Sequence, residues 1–176
     1  MLKVFRCWIC GETYLGEERP TDCPYCGADE KFLKPGEEYE LPEVDLSEKS
    51  KKNLEEALDL EVDNATFYYC AYNNANDPKT EGMFKRLAKV ESEHAEAICL
   101  YLDIEEPDID KHIDKCSEEL PENIKDAHVR ESRAIKHYRK FAKEAEEPRV
   151  KEFFEALVEI ETDHLELHEH ELNELQ

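Results

Sequence analysis

Glu91-Ser92-Glu93-His94 returns seventy residues later as Glu161-Thr162-Asp163-His164, and these two boxes decide the fold. A gapless slide by the same offset also aligns Leu54 with Ile124, Ala57 with Ala127, Glu61 with Glu131 and Tyr68 with Tyr138. Pro78, Phe84, Leu87 and Val90 meet Pro148, Phe154, Leu157 and Ile160. The chain therefore contains an internal repeat, and each unit reads as a pair of helices. Each pair offers one Glu on its first helix and a Glu, His pair at i, i+3 on its second. Four carboxylates and two imidazoles projecting inward from four helices make a two-metal site in a bundle.

Working outward, Asp45 or Ser47 caps a first helix that runs to about Asn76. Its apolar stripe is Leu54, Ala57, Leu58, Ala65, Tyr68 and Tyr72, and Glu61 lies inside it. A carboxylate on a core face is costly unless paired or coordinated, so Glu61 carries information that the outward acids do not. Asp77-Pro78 reads as an N-cap followed by proline at the first helical position, so a second helix starts at once. There Phe84, Leu87, Val90, Ile98 and Tyr101 form the stripe that Glu91 and His94 interrupt. The third helix, about Pro121 to Glu146, sets Ile124, Ala127, Ile135, Tyr138 and Phe141 around Glu131. Pro148 opens the fourth, where Phe153, Phe154, Leu157, Ile160 and Leu165 flank Glu161 and His164. Glu93, Glu96, Asp163 and Glu166 fall on other faces and read as solvent charges. Between the halves, Asp103 to Leu120 carries Pro107 and no sustained periodicity, which suits a crossover running the length of a bundle.

The amino-terminal stretch has a different chemistry. Cys7 and Cys10, then Cys23 and Cys26, form two CxxC pairs, each with a glycine directly behind it. Four thiolates at this spacing are a strong metal signal, and tetrahedral sulfur suits both iron and zinc. Pro35, Gly36 and Pro42 among acidic residues then read as an extended linker. We expect residues 1–35 to form the four-cysteine metal domain, 36–46 the linker and 47–176 the bundle.

Composition narrows the functions. The 176 residues carry a net charge of −22, which argues against nucleic acid or an anionic membrane as partner. Apolar runs are a few residues long, so no membrane span is expected, and no secretion signal is visible in Met1 to Gly11. A cytoplasmic location follows as the expectation, and there paired cysteines favour metal over disulfides. Cys70, Cys99 and Cys116 then read as small buried apolar residues. His128 and His168 flank the ligand boxes by one turn and read as partly exposed helix histidines.

Cys23-Pro24-Tyr25-Cys26-Gly27-Ala28, with Trp8, Tyr14 and Tyr25 around the sulfurs, resembles rubredoxin. The twelve-residue gap between the pairs is similar to the compact version fused to rubrerythrins. The chain as a whole resembles a rubrerythrin with its modules exchanged, the reverse rubrerythrin type. That resemblance implies a mainly α protein: a ferritin-like four-helix bundle with one long crossover, preceded by a small rubredoxin-like four-cysteine metal domain. It implies two iron ions in a carboxylate-bridged site held by Glu61, Glu91, His94, Glu131, Glu161 and His164, with Tyr68 as a catalytic neighbour. One further iron, with zinc as the alternative, sits at Cys7, Cys10, Cys23 and Cys26. The implied activity is a non-haem diiron peroxidase of oxidative-stress defence, reducing hydrogen peroxide to water with electrons fed through the cysteine-bound iron. The implied external donor is a rubredoxin or an NAD(P)H-dependent reductase. The implied assembly is a homodimer or higher oligomer in which one subunit's cysteine module serves the other's diiron site. One position departs from the family, whose third-helix ligand is followed one turn later by a second Glu. Here that position is Ala134, and its repeat mate is Asn64. The remaining six ligands resemble those of ferritins, which keeps a ferroxidase or dioxygen-scavenging oxidase as the alternative activity.

Overall fold

A computed structural model describes residues 1–112 and 114–175. Three short strands open the chain, β1 (Lys3–Cys7), β2 (Thr13–Gly16) and β3 (Leu33–Pro35), in the antiparallel order β2-β1-β3. Phe5 sits opposite both Tyr14 and Pro35, so β1 is the central strand. Each cysteine pair is closed by a glycine in the left-handed region, Gly11 at φ 82° and Gly27 at φ 83°. Their N–H groups donate to the Cys7 and Cys23 carbonyls at 2.9 and 3.0 Å, a tight turn that a residue with a Cβ would strain.

Four long helices follow: α1 (Glu48–Asn74), α2 (Pro78–Leu102), α3 (Leu120–Glu144) and α4 (Pro148–Glu174). Ser47 caps α1 by accepting from the Ser50 N–H, and Asp77 caps α2 by accepting from Lys79 and Thr80. Glu147 caps its neighbour instead: its carboxylate accepts from the Ser47 N–H and the Ser50 hydroxyl, pinning the start of α1 to the start of α4. The helices pack as two antiparallel hairpins, α1 on α2 and α3 on α4, joined by the long crossover. This is the ferritin-like arrangement that the repeat predicts.

One apolar cluster runs from Phe5, Ile9, Phe32 and Leu33 of the strand module into Leu54, Ile98, Phe141 and Phe154 of the bundle. A second fills the far end with Phe67, Tyr68, Phe84, Leu87 and Ile124. Each large side chain so buried contributes roughly 1.5–3 kcal/mol. The module therefore shares the core of its own bundle. Polar contacts set its orientation. Trp8 donates to Glu152 at 2.9 Å beneath the Arg149 guanidinium, which lies 3.4 Å from the indole centroid, and Lys31 meets Glu159 at 2.7 Å. Arg86 donates to the Pro24 carbonyl and, at 2.8 Å, to that of Tyr25.

Two cysteines depart from the sequence reading. Cys70 of α1 and Cys116 of the crossover are joined as a disulfide, while Cys99 stays a buried thiol. Nothing in the spacing of residues 46 apart signals such a pair; the crossover has to fold back on α1 first. Asn74 fastens the same place by donating to the Ser117 carbonyl at 3.2 Å. Among the described residues no helix is long and apolar enough to cross a membrane.

Candidate metal centre

The sulfurs of Cys7, Cys10, Cys23 and Cys26 are buried and lie within 4.8 Å of one another. Two edges are explicit: 3.7 Å from Cys7 to Cys26 and 3.8 Å from Cys10 to Cys23. A tetrahedral ion with bonds to sulfur of about 2.3 Å requires edges of about 3.8 Å, so the four sulfurs already stand at its corners. Hydrogen bonding from Cys10 holds the Cys23 sulfur well below an ordinary thiol, and the same contact pushes Cys10 up.

The second centre follows from helix geometry. Glu61 on α1 and Glu131 on α3 each replace one apolar residue of a core stripe. Glu91 with His94, and Glu161 with His164, are one turn apart on α2 and α4. The four glutamates and His94 are fully buried, and the His164 side chain is 12% exposed. Their donor atoms form two overlapping groups, each within 4.8 Å: Glu61, Glu91, His94 and Glu161, and then Glu91, Glu131, Glu161 and His164. Glu91 and Glu161 belong to both, which is the geometry of two bridging carboxylates.

Orphaned atoms test the fit. Glu61 Oε2, both Glu91 oxygens, His94 Nδ1, Glu131 Oε2 and Glu161 Oε1 are buried with no hydrogen-bond partner among the described residues. Leaving buried polar atoms unpaired costs several kcal/mol in sum, and all of these point into one volume. Two divalent cations would satisfy all of them, and hard carboxylates with one imidazole per position suit iron or manganese.

Burial and the charges of neighbouring acids hold Glu61 and Glu131 well above the usual carboxylate range. Burial alone would depress His94 and His164, but the surrounding glutamates raise both. Glu91 and Glu161 resist the upward push of burial because both imidazoles pair with them, and they stay low.

Around it, each terminal glutamate is gripped by a tyrosine of the opposite hairpin. Tyr138 donates to Glu61 Oε1 at 2.5 Å, and Tyr68 donates to Glu131 Oε1. Tyr68 was foreseeable as a site neighbour. Tyr138, read from sequence as a stripe residue, does the same work, and its alignment with Tyr68 across the repeat was the available signal. His168 corrects a sequence reading: it is fully buried, with Nε2 at 2.9 Å from the Tyr68 hydroxyl and its ring stacked on that of Tyr68. Burial, with the charge of His164, pushes it down to about 3, so it is neutral at ordinary pH. Its repeat mate Ile98 was the clue, because an apolar mate marks a core position. His128, by contrast, is part-exposed and 3.3 Å from Glu169, as expected. Glu93 is half-buried beside the cysteine module, where burial and Glu96 push it up to about 7.

The two centres touch. His94 directs Nδ1 at the carboxylates, 3.2 Å from Glu161, and its Nε2 donates to the Cys26 carbonyl at 3.0 Å. The cysteine module that the resemblance assigns to a second subunit's diiron site thus lies against the cluster of its own chain.

Comparison with known proteins agrees with this architecture. Residues 5–33 match the family described as "Rubrerythrin, rubredoxin-like domain" and residues 52–172 the one described as "Rubrerythrin". Over 106 residues the chain is 32% identical to reverse rubrerythrin-1 of Clostridium acetobutylicum. That alignment covers 53% of this chain and 59% of the relative, so the chain spans less than two thirds of its length. No solved structure matches. The second of these family matches runs through all four helices and takes in every carboxylate and imidazole of the cluster, and on that extent the chain belongs to the rubrerythrin family.

Proposed function

We propose that this protein is a diiron peroxidase that reduces hydrogen peroxide to water with electrons received through its own four-cysteine site. Glu61, Glu91, His94, Glu131, Glu161 and His164 would hold two iron ions, and Cys7, Cys10, Cys23 and Cys26 a third. Such a pair supplies two electrons, the number that reduction of an O–O bond to water consumes.

The observation that carries this reading is the His94 bridge. One imidazole faces the carboxylates with Nδ1 and bonds the carbonyl of a cysteine ligand with Nε2, so a short bonded route joins the two centres. Storage of iron has no need of such an inlet. The chain's other groups fit the task. Burial of the four glutamates and His94 excludes bulk water. The partly open edge at His164 suits a molecule as small as peroxide. Tyr68, bonded to Glu131 from inside, is a proton donor placed at that edge of the cluster, and we assign it the catalytic proton.

Ala134 favours a second reading, ferroxidase or dioxygen-scavenging activity, because the fifth carboxylate of the family, its seventh ligand, is missing there. Stopped-flow mixing of the fully reduced protein with peroxide and with dioxygen separates the two. Peroxidase activity predicts faster oxidation by peroxide and a red thiolate–iron chromophore that appears as peroxide is consumed and is bleached by the donor. Faster oxidation by dioxygen, or a colourless zinc-filled cysteine site, would remove the first reading.

A further inference from the structure

The two halves carry the same ligands but not the same support. Among the described residues Tyr138 has one hydrogen-bond partner, the Glu61 carboxylate. Tyr68 has two, Glu131 and His168. The position equivalent to His168 in the first half is Ile98, which is buried and cannot bond a tyrosine.

A hydroxyl has one proton, and that settles direction. When Glu131 is an ionised ligand it can only accept, so Tyr68 donates to it. The Tyr68 oxygen must then accept from His168, which fixes the proton of that imidazole on Nε2. His168 Nδ1 is left buried with no partner among the described residues, a penalty that a purely structural apolar residue such as isoleucine would avoid.

We propose that His168 is a positioning residue for one metal position only: it locks the Tyr68 hydroxyl onto Glu131 Oε1, leaving the unpartnered Oε2 free to hold, with His164, the ion that this position would take. The Glu61–His94 position depends on Tyr138 alone and is untouched by it. The inference rests on the two-ion reading of the cluster given above. Groups that orient a metal ligand from outside typically contribute about 10–100-fold to affinity.

Cobalt(II) titration of the full chain, with zinc already filling the four thiolates, tests this. Wild type should take up two ions. His168→Ile should bind one as wild type does and the other at least about tenfold more weakly. His168→Gln, whose amide can donate to the same oxygen, should restore most of that loss. Tyr68→Phe should weaken the same step, and adding His168→Ile to it should cost nothing more, whereas His168→Ile combined with Tyr138→Phe should be additive. In zinc-loaded protein, nitrogen-15 shifts should place the His168 proton on Nε2. Equal weakening of both steps, no weakening, additivity with Tyr68→Phe, or a proton on Nδ1 would each overturn the proposal. A wild-type protein that binds no cobalt at the cluster would instead remove the two-ion reading itself. Circular dichroism on each variant separates failure to fold from failure to bind.

Discussion

The two hairpins start from one pattern and end in different surroundings. Glu61, Glu91 and His94 face Glu131, Glu161 and His164 across a pseudo-twofold, and each half lends a tyrosine to the other. Beyond that the symmetry fails. His94 is fully enclosed and bonded to the cysteine module, whereas His164 lies partly open and its nearest tyrosine is backed by His168. The first hairpin also carries the disulfide, since the repeat mate of Cys70 is Lys140. The halves thus share their ligands, while one of them bonds the cysteine module and the other leaves its imidazole partly exposed.

Changes at shared and unshared positions probe that difference, and the largest effect belongs to a shared one. Glu91→Ala removes a donor from both groups, so metal analysis should find neither ion retained and turnover should vanish; Glu61→Ala should lose a single ion. A retained pair in Glu91→Ala would break the bridging geometry.

Next in size is pH. Burial and neighbouring acids raise Glu61 and Glu131, and the surrounding glutamates raise His94 and His164, so cations that bind there would displace protons and their affinity should rise with pH. The sign for the metal-free fold is opposite. Both histidines have folded values above 6.5, so their contribution is complete below pH 6.5 and is lost as pH rises through the raised values. Thermal melts of metal-free protein should fall above pH 6.5, and proton release on loading is read directly with a pH indicator.

Reducing the Cys70–Cys116 bond, which closes a loop of sequence separation 46, should lower stability by up to about 4 kcal/mol, or about 10 °C in Tm. Tris(carboxyethyl)phosphine melts of Cys70→Ser beside wild type would show it. Ala134→Glu adds a carboxylate to a buried position of α3 and should destabilise the metal-free protein by about 3 kcal/mol. Iron loading should recover that loss, and the ratio of peroxide to dioxygen reactivity should rise. The smallest effect is expected from Tyr138→Phe: about tenfold in affinity at the Glu61–His94 position alone.

Most of the fold could be read in advance because its signals are local. Apolar stripes at helical spacing, Asp77-Pro78 and Pro148 as helix starts, and two Glu, His boxes need only neighbours in sequence. Polar residues inside apolar stripes identified the members of the cluster for the same reason. What could not be read depends on distant segments meeting. Cys116 pairs with Cys70 only after the crossover returns along α1, and Glu147 caps a helix one hundred residues away. His168 looked like surface because histidine is tolerated on both sides of a helix; its burial is decided by Tyr68 on another hairpin. The seating of the cysteine module on its own bundle rests on Trp8 of the first cysteine pair meeting Arg149, and on Arg86, and neither arginine belongs to a motif.

The ring of His94 belongs to both metal pockets at once. An ion held at the carboxylates would fix that ring and with it the Cys26 carbonyl, and an ion held by the thiolates would fix the same turn from the other side. Two sites that restrain one group are thermodynamically linked, and linkage is reciprocal. Whatever factor an occupied cysteine site lends to the affinity of the inner carboxylate position, occupation of that position returns in equal measure to the cysteines.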